Sequence, residues 1–127
     1  MKTQGEIEAA IAEAMSRFAL EFMGRGPKNT QVFLLGDLLV IRLQGVLTAA
    51  EQHLVKMLPA EKGRGLLKEV RRHLLQSARP TLVAVVEDIT GVEVQSLHHD
   101  ISTMTGEEII VFTLTNAPLF REIRKRP

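Results

Sequence analysis

The chain has 127 residues, 45% of them apolar and 24% charged, with a formal net charge of +1. That length fits a single domain over 1–127 with one aliphatic core, and no stretch approaches the roughly 18 consecutive apolar residues of a membrane-spanning helix. The lack of cysteine excludes a disulfide framework, a thiol nucleophile and a Cys-based zinc site, and the near-neutral charge gives no strong nucleic-acid signal.

Residues 5 to 23 read as an amphipathic helix, with Ile7, Ile11, Met15, Phe18 and Phe22 at spacings of three and four. GRGP at 24–27 ends it with a C-terminal glycine and a proline. Strands follow at about 30–35 and 38–45, joined at Gly36-Asp37 by a turn whose type the residue order leaves open. Leu39, Ile41 and Leu43 share one face of the second strand; Leu38, Val40, Arg42 and Gln44 share the other. Thr48 and Glu51 have capping-box spacing and predict a short helix over 49–57.

LPAEKGRG at 58–65 reads as a loop, and a longer helix is expected from Gly65. Its buried stripe is expected to be Leu66, Leu67, Val70, Leu74 and Leu75, with Lys68, Glu69, Arg71 and Arg72 outside. Arg79-Pro80 falls within the pattern and predicts a kink or a break before Gly91. A second hairpin closes the chain: a strand over 92–101, a turn at TMTGE, and a strand over 108–115. Residues 117–127 form a basic C-terminal tail with Arg121, Arg124, Lys125 and Arg126.

The order α-ββ-α-α-ββ predicts an α+β fold of two layers, with helices packed on one face of a four-stranded antiparallel sheet. The other face, expected to carry Val40, Arg42 and Phe112, is half apolar and predicts pairing with a second copy.

Reactive side chains are densest in LHHDISTMTGEEIIVF, residues 97–112. Neighbours on a strand point to opposite faces, so His98 and His99 cannot both reach one ion. His98 and Asp100 share a face, but His53 and His73 stand at no recognisable ligand spacing, and no metal or cofactor is expected. His98 beside Asp100, with Ser102 or Thr103 as nucleophile, has the ingredients of acid-base chemistry. No G-x-S-x-G elbow surrounds Ser102, and turn-forming residues explain the cluster better. GRG at 63–65 matches no phosphate-loop motif, although a helix start near Arg64 can hold an anion, with Arg71 and Arg72 adding a basic side. Arg42 and Arg79 interrupt apolar patterns and are expected to pair with Asp100, Glu87 or Glu107.

GPKNTQVFLLGDLLVIRLQGVLTAAE (26–51), GRGLLKEVRRHL (63–74) and LHHDISTMTGEEIIVFTL (97–114) resemble, in order and spacing, a family of small bacterial domains. That family is MpsC, labelled after a sodium-translocating, membrane-potential-generating system. The resemblance runs from about residue 5 to 116. Its most specific string fits His98, Asp100, Ile101, Ser102, Thr103, Thr105, Gly106 and Glu107; His99 stands where the family more often has a small polar residue. The resemblance implies a soluble companion of a membrane system that moves ions, with a link to inorganic-carbon uptake, and supplies no catalytic residues.

The resulting expectation is a non-enzymatic accessory or regulatory domain, a homodimer that binds a membrane transport protein. The start MKTQGEIEAAIAEAM has no apolar signal-peptide segment, which together with the missing cysteines points to the cytoplasm, with membrane association through the partner. Its functional surface would comprise Arg42, Thr48, Glu51, His98, Asp100, Ser102 and Thr103. Two alternatives stay open: a small-ligand sensor or minor enzyme on the His98/Asp100 strand, and an anion- or nucleic-acid-binding module using Arg64, Arg71, Arg72 and the tail.

Overall fold

The computed structural model describes residues 1–121, with the backbone alone at residue 60. The order is α1 (Gln4–Met23), β1 (Asn29–Leu35), β2 (Leu38–Gln44), α2 (Ala49–Met57), α3 (Ala60–Thr90), β3 (Val94–Ile101) and β4 (Glu108–Leu114). Two antiparallel hairpins join through β2 and β4 into one sheet of order β1-β2-β4-β3. The predicted α+β architecture is therefore the observed one. Arg124, Lys125 and Arg126 of the basic tail lie outside the described residues; Arg121 returns to the start of α1, its N–H donating to the Lys2 carbonyl at 2.8 Å.

α1 starts at a capping box. Thr3 accepts from the Glu6 amide and Glu6 reaches back to the Thr3 amide, satisfying two of the helix's orphan donors. Ile7, Ile11, Met15 and Ala19, four residues apart, form its buried stripe. The first hairpin turns at Gly36, with φ +64, while Asp37 keeps a negative φ. This is the glycine-first turn whose twist matches flanking strands, so the Gly-Asp order is suitable after all.

Three expectations about α3 are corrected. First, the helix starts at Ala60, so Gly63 and Gly65 are helical rather than loop. Gly63 is where α2 and α3 cross closely: a Cβ there would meet the Leu54 carbonyl oxygen at 3.0 Å and the Val55 Cα at 3.3 Å. The glycine that reads as a breaker is a packing requirement. Second, of the expected kink or break, the break is absent: the helix continues through Pro80. Proline costs a helix interior about 3 kcal/mol. Here it lies on the exposed side, where the carbonyl freed at Gln76 can be hydrated, while Ala78, Leu82 and Val86 are buried on the other side. Burial of Leu82 and Val86 contributes roughly 1.5–3 kcal/mol each and outweighs the defect. Third, the buried stripe is rotated. Leu67, Arg71, Leu75, Ala78, Leu82 and Val86 face inward, whereas Leu66 and Val70 are 45% and 43% exposed.

Sheet register fixes the two faces. Leu39, Ile41 and Leu43 pair with or stand beside Phe112, Ile110 and Glu108, and this face receives α1 and α3. Phe112 is completely buried there, not on the open face where it was expected, because β4 alternates inward at 108, 110, 112 and 114. The open face carries Phe33, Leu35, Leu38, Val40, Ile109 and Val111, with Arg42 and Gln31 beside them.

The glycine pair in α3 gives a direct check on this packing. Gly63→Ala should lower the thermal midpoint despite alanine's helix propensity. Gly65→Ala, with nothing within 4 Å of its added Cβ, should stabilise by roughly 0.5–1 kcal/mol. Calorimetry of both variants makes the comparison.

Candidate functional site

At one end of the sheet, four segments meet on a single buried cation. Arg71 projects from the inner side of α3 and is 2% exposed. Its Nε and Nη2 donate to the Glu51 carboxylate at 2.9 and 2.8 Å, and Nη2 also donates to the Val46 carbonyl at 3.0 Å. Nη1 stands 3.5 Å from Oε1 of Glu108, the first residue of β4. The guanidinium thus ties α3 to the N-terminus of α2, to the segment after β2 and to β4. Arg71 was expected outside the helix stripe as an anion contact. It is instead enclosed, because a planar fork with several donors can satisfy two carboxylates and a carbonyl together.

Glu51 serves two structures. Its carboxylate accepts the Thr48 amide at 2.9 Å while the Thr48 hydroxyl accepts the Glu51 amide at 3.2 Å, completing the predicted capping box. The same carboxylate pairs with Arg71. Burial works to raise its pKa, but hydrogen bonds from Arg71 and Thr48, with the Arg71 charge, hold it below the usual range.

Glu108 sits differently. It is 3% exposed, and its Oε2 has no hydrogen-bond partner among the described residues. Desolvation pushes its pKa up to about 7; the Arg71 charge only partly opposes this, while Glu51 and Asp100 add to it. One full carboxylate charge already neutralises Arg71, so a second buried charge gains little. Sequence alternation does reveal Glu108: it shares the phase of Ile110 and Phe112 on β4.

The other predicted site residues do not converge here. Arg42, on the open face, donates from Nε to Glu107 at 2.7 Å and from Nη1 to Gln31 at 3.3 Å. Of the other suggested carboxylates, Asp100 pairs with Lys68 at 3.3 Å and Glu87 accepts the Val94 amide at 2.8 Å. Arg79 is exposed on α3. His98 is exposed opposite Val111, whereas His99 faces the helix side opposite Ile110 and is half-buried. Burial, more than the Arg72 charge, lowers the His99 pKa, with Asp100 opposing. Asp100 accepts the Ile101 amide at 2.9 Å, and this bond, ahead of Lys68, keeps its carboxyl below the usual range. His99, Asp100, Lys68 and Arg72 line a shallow depression along α3. The Ser102 hydroxyl accepts the Thr105 amide at 3.3 Å, and the Ser102 carbonyl accepts the Gly106 amide at 2.8 Å, the local bonding expected of turn residues. Thr103 is buried. The GRG segment lies inside α3, so no helix N-terminus opens there. Among the described residues no group of three His, Cys, Asp or Glu could hold a metal ion.

A larger cleft borders the buried cluster. It has a volume of about 620 Å³ and lies between α2, the β3–β4 turn and the segment joining α1 to β1. Arg25, Lys28, Lys56 and Arg64 line it, and of the predicted site residues it takes in Arg64 and Thr103.

Two measurements probe the buried cluster. Replacing Arg71 with Ala strands Glu51 and Glu108 and should lower unfolding free energy by roughly 3–5 kcal/mol, while Arg72→Ala, at an exposed site, should change it by less than about 0.5 kcal/mol. Urea unfolding of both variants gives the two values. For pH, the Glu108 carboxyl binds its proton more tightly folded than unfolded, with pKa about 7 against 4.5. Its contribution is therefore complete below pH 4.5 and is lost as pH rises toward 7. Glu108→Gln should remove that loss, so its stability relative to the parent should rise by a few kcal/mol between pH 5 and 8.

The chain matches the family described as "Na+-translocating membrane potential-generating system (MpsC)" over residues 3–116. It is also 32% identical over 115 residues to the uncharacterized protein YbcI of Bacillus subtilis (strain 168), covering 91% of this chain and 90% of that protein. No solved structure gives a significant match. No helix among the described residues is long and apolar enough to cross a membrane. The matched region takes in all seven secondary-structure elements and every residue of the buried cluster, and the chain belongs to the MpsC family.

Proposed function

We propose that this protein acts without catalysis, as a cytoplasmic accessory domain of a membrane ion-translocating system, and that it works as a homodimer formed through the open face of its sheet. The observation that carries this reading is the open face itself. Helices cover only one side of the four strands, and the other side presents Phe33 at 45% and Leu35 at 62% exposure beside the half-buried Leu38, Val40, Ile109 and Val111. Soluble domains rarely leave a contiguous apolar patch of this kind to water, and a flat sheet face suits isologous pairing. The Arg42–Glu107 pair and Gln31 give the patch a polar rim, the usual anatomy of an interface. The family name supports the link to a sodium-translocating membrane system.

Sedimentation velocity tests the pairing. The parent chain should sediment as a dimer, and Phe33→Glu, which places a charge on the patch, should sediment as a folded monomer. A monomeric parent would sink the dimer. Gentle purification of the tagged protein from solubilised membranes tests the rest: a co-purifying polytopic ion transporter is the expected result.

A further inference from the structure

The cleft beside the buried cluster lies at the end of the sheet, between α2 and the β3–β4 turn. Its cations come from three parts of the chain: Arg25 and Lys28 in the segment joining α1 to β1, Lys56 on α2 and Arg64 on α3. Among the described residues no Asp or Glu side chain lines it. Arg25, Lys28 and Lys56 bring three positive groups to one concavity, in a chain of net charge +1. Like charges brought together raise the local electrostatic free energy, which a multiply charged anion would offset. The floor is different in character: Leu47, which is 7% exposed, and Val55 supply apolar wall.

Backbone geometry leaves room for the stem of one cation. Gly45 has φ +70, and a Cβ there would lie 2.7 Å from Cγ and 2.8 Å from Cδ of Lys28. The Lys28 stem therefore lies flat across a glycine that no L side chain replaces without strain, while its amide donates to the Gln44 carbonyl at 2.8 Å. Both ends of this arrangement are local to the cleft.

We infer that the cleft binds a phosphate-bearing amphiphile of nucleotide size. The phosphate would sit among Lys28, Lys56 and Arg25, and the apolar portion would lie on Leu47 and Val55. A volume of about 620 Å³ falls within the usual range for small-molecule sites, and a mostly apolar wall with a few convergent charges is their usual composition. Guanidinium and ammonium groups together suit the several oxygens of a phosphate ester. Such chemistry is carried both by soluble nucleotides and by anionic lipid headgroups.

The test uses the full chain with three probes: ATP by titration calorimetry, and phosphatidylglycerol vesicles against phosphatidylcholine vesicles by co-sedimentation. Lys28→Ala combined with Lys56→Ala should weaken binding by roughly tenfold or more. Lys2→Ala combined with Arg79→Ala removes the same charge from exposed positions outside the cleft and should leave binding unchanged. Saturable ATP binding with this dependence identifies a soluble ligand. Binding of the anionic vesicles alone, with the same dependence, identifies a lipid headgroup. The inference is overturned if neither probe binds, or if both double variants lose binding equally. Should the cleft double variant fail to fold by circular dichroism, Lys56→Gln alone is read by the same criterion.

Discussion

A guanidinium enclosed at 2% exposure organises this molecule. Ionised groups are costly to bury, and Arg71 is tolerated only because Glu51, Glu108 and the Val46 carbonyl surround it. Those partners come from two stretches, 46–51 and the start of β4, far from each other and from Arg71 in sequence, so the ion cluster forms only when α2, β4 and α3 are already close. It specifies how these parts dock, since an apolar side chain at the same place would tolerate small slips in register and a fork of fixed hydrogen bonds would not. Glu51 tightens the arrangement further, because the carboxylate that caps α2 is the one that holds Arg71.

The two concave or open surfaces follow from this frame. With α1 and α3 filling one side of the sheet, the other side is left with its apolar residues in water. With α2 anchored through Glu51 and crossing α3 at Gly63, a cleft opens between α2 and the β3–β4 turn. The protein thus separates two kinds of surface. The sheet face is apolar and broad, suited to protein; the cleft is concave and cationic, suited to an anion. The HHDIST segment, the most conspicuous string in the sequence, is divided between them: His98 and Asp100 stand opposite Val111 and Ile109 on the open side of edge strand β3, and Thr103 lines the cleft, while Asp100 and Ser102 also bond locally.

Local patterns made much of the architecture legible. Capping spacing at Thr48 and Glu51, glycines after helices, and alternation in β2 and β4 depend on neighbours within a few residues, so the one-dimensional string contains them. The same rules failed where a distant contact decided. Gly63 looks like a breaker until the Leu54 carbonyl is placed against it. Pro80 looks like a stop until the burial of Leu82 and Val86 is counted. Phe112 lies on the inner face because strict alternation from Glu108 places it there, a relation the string itself contains.

The sequence by itself determined the α+β class, the element order, the hairpins and the family resemblance, because periodicity and turn chemistry are short-range properties. Only the tertiary structure decided that Arg71 is buried. Its spacing from Leu67 and Leu75 puts it on the stripe, but hydrophobicity alone assigns a cation to solvent, and only the convergence of Glu51, Glu108 and Val46 reverses that preference. The cationic cleft was equally hidden, since Arg25, Lys28, Lys56 and Arg64 share no motif and come together only when three segments pack.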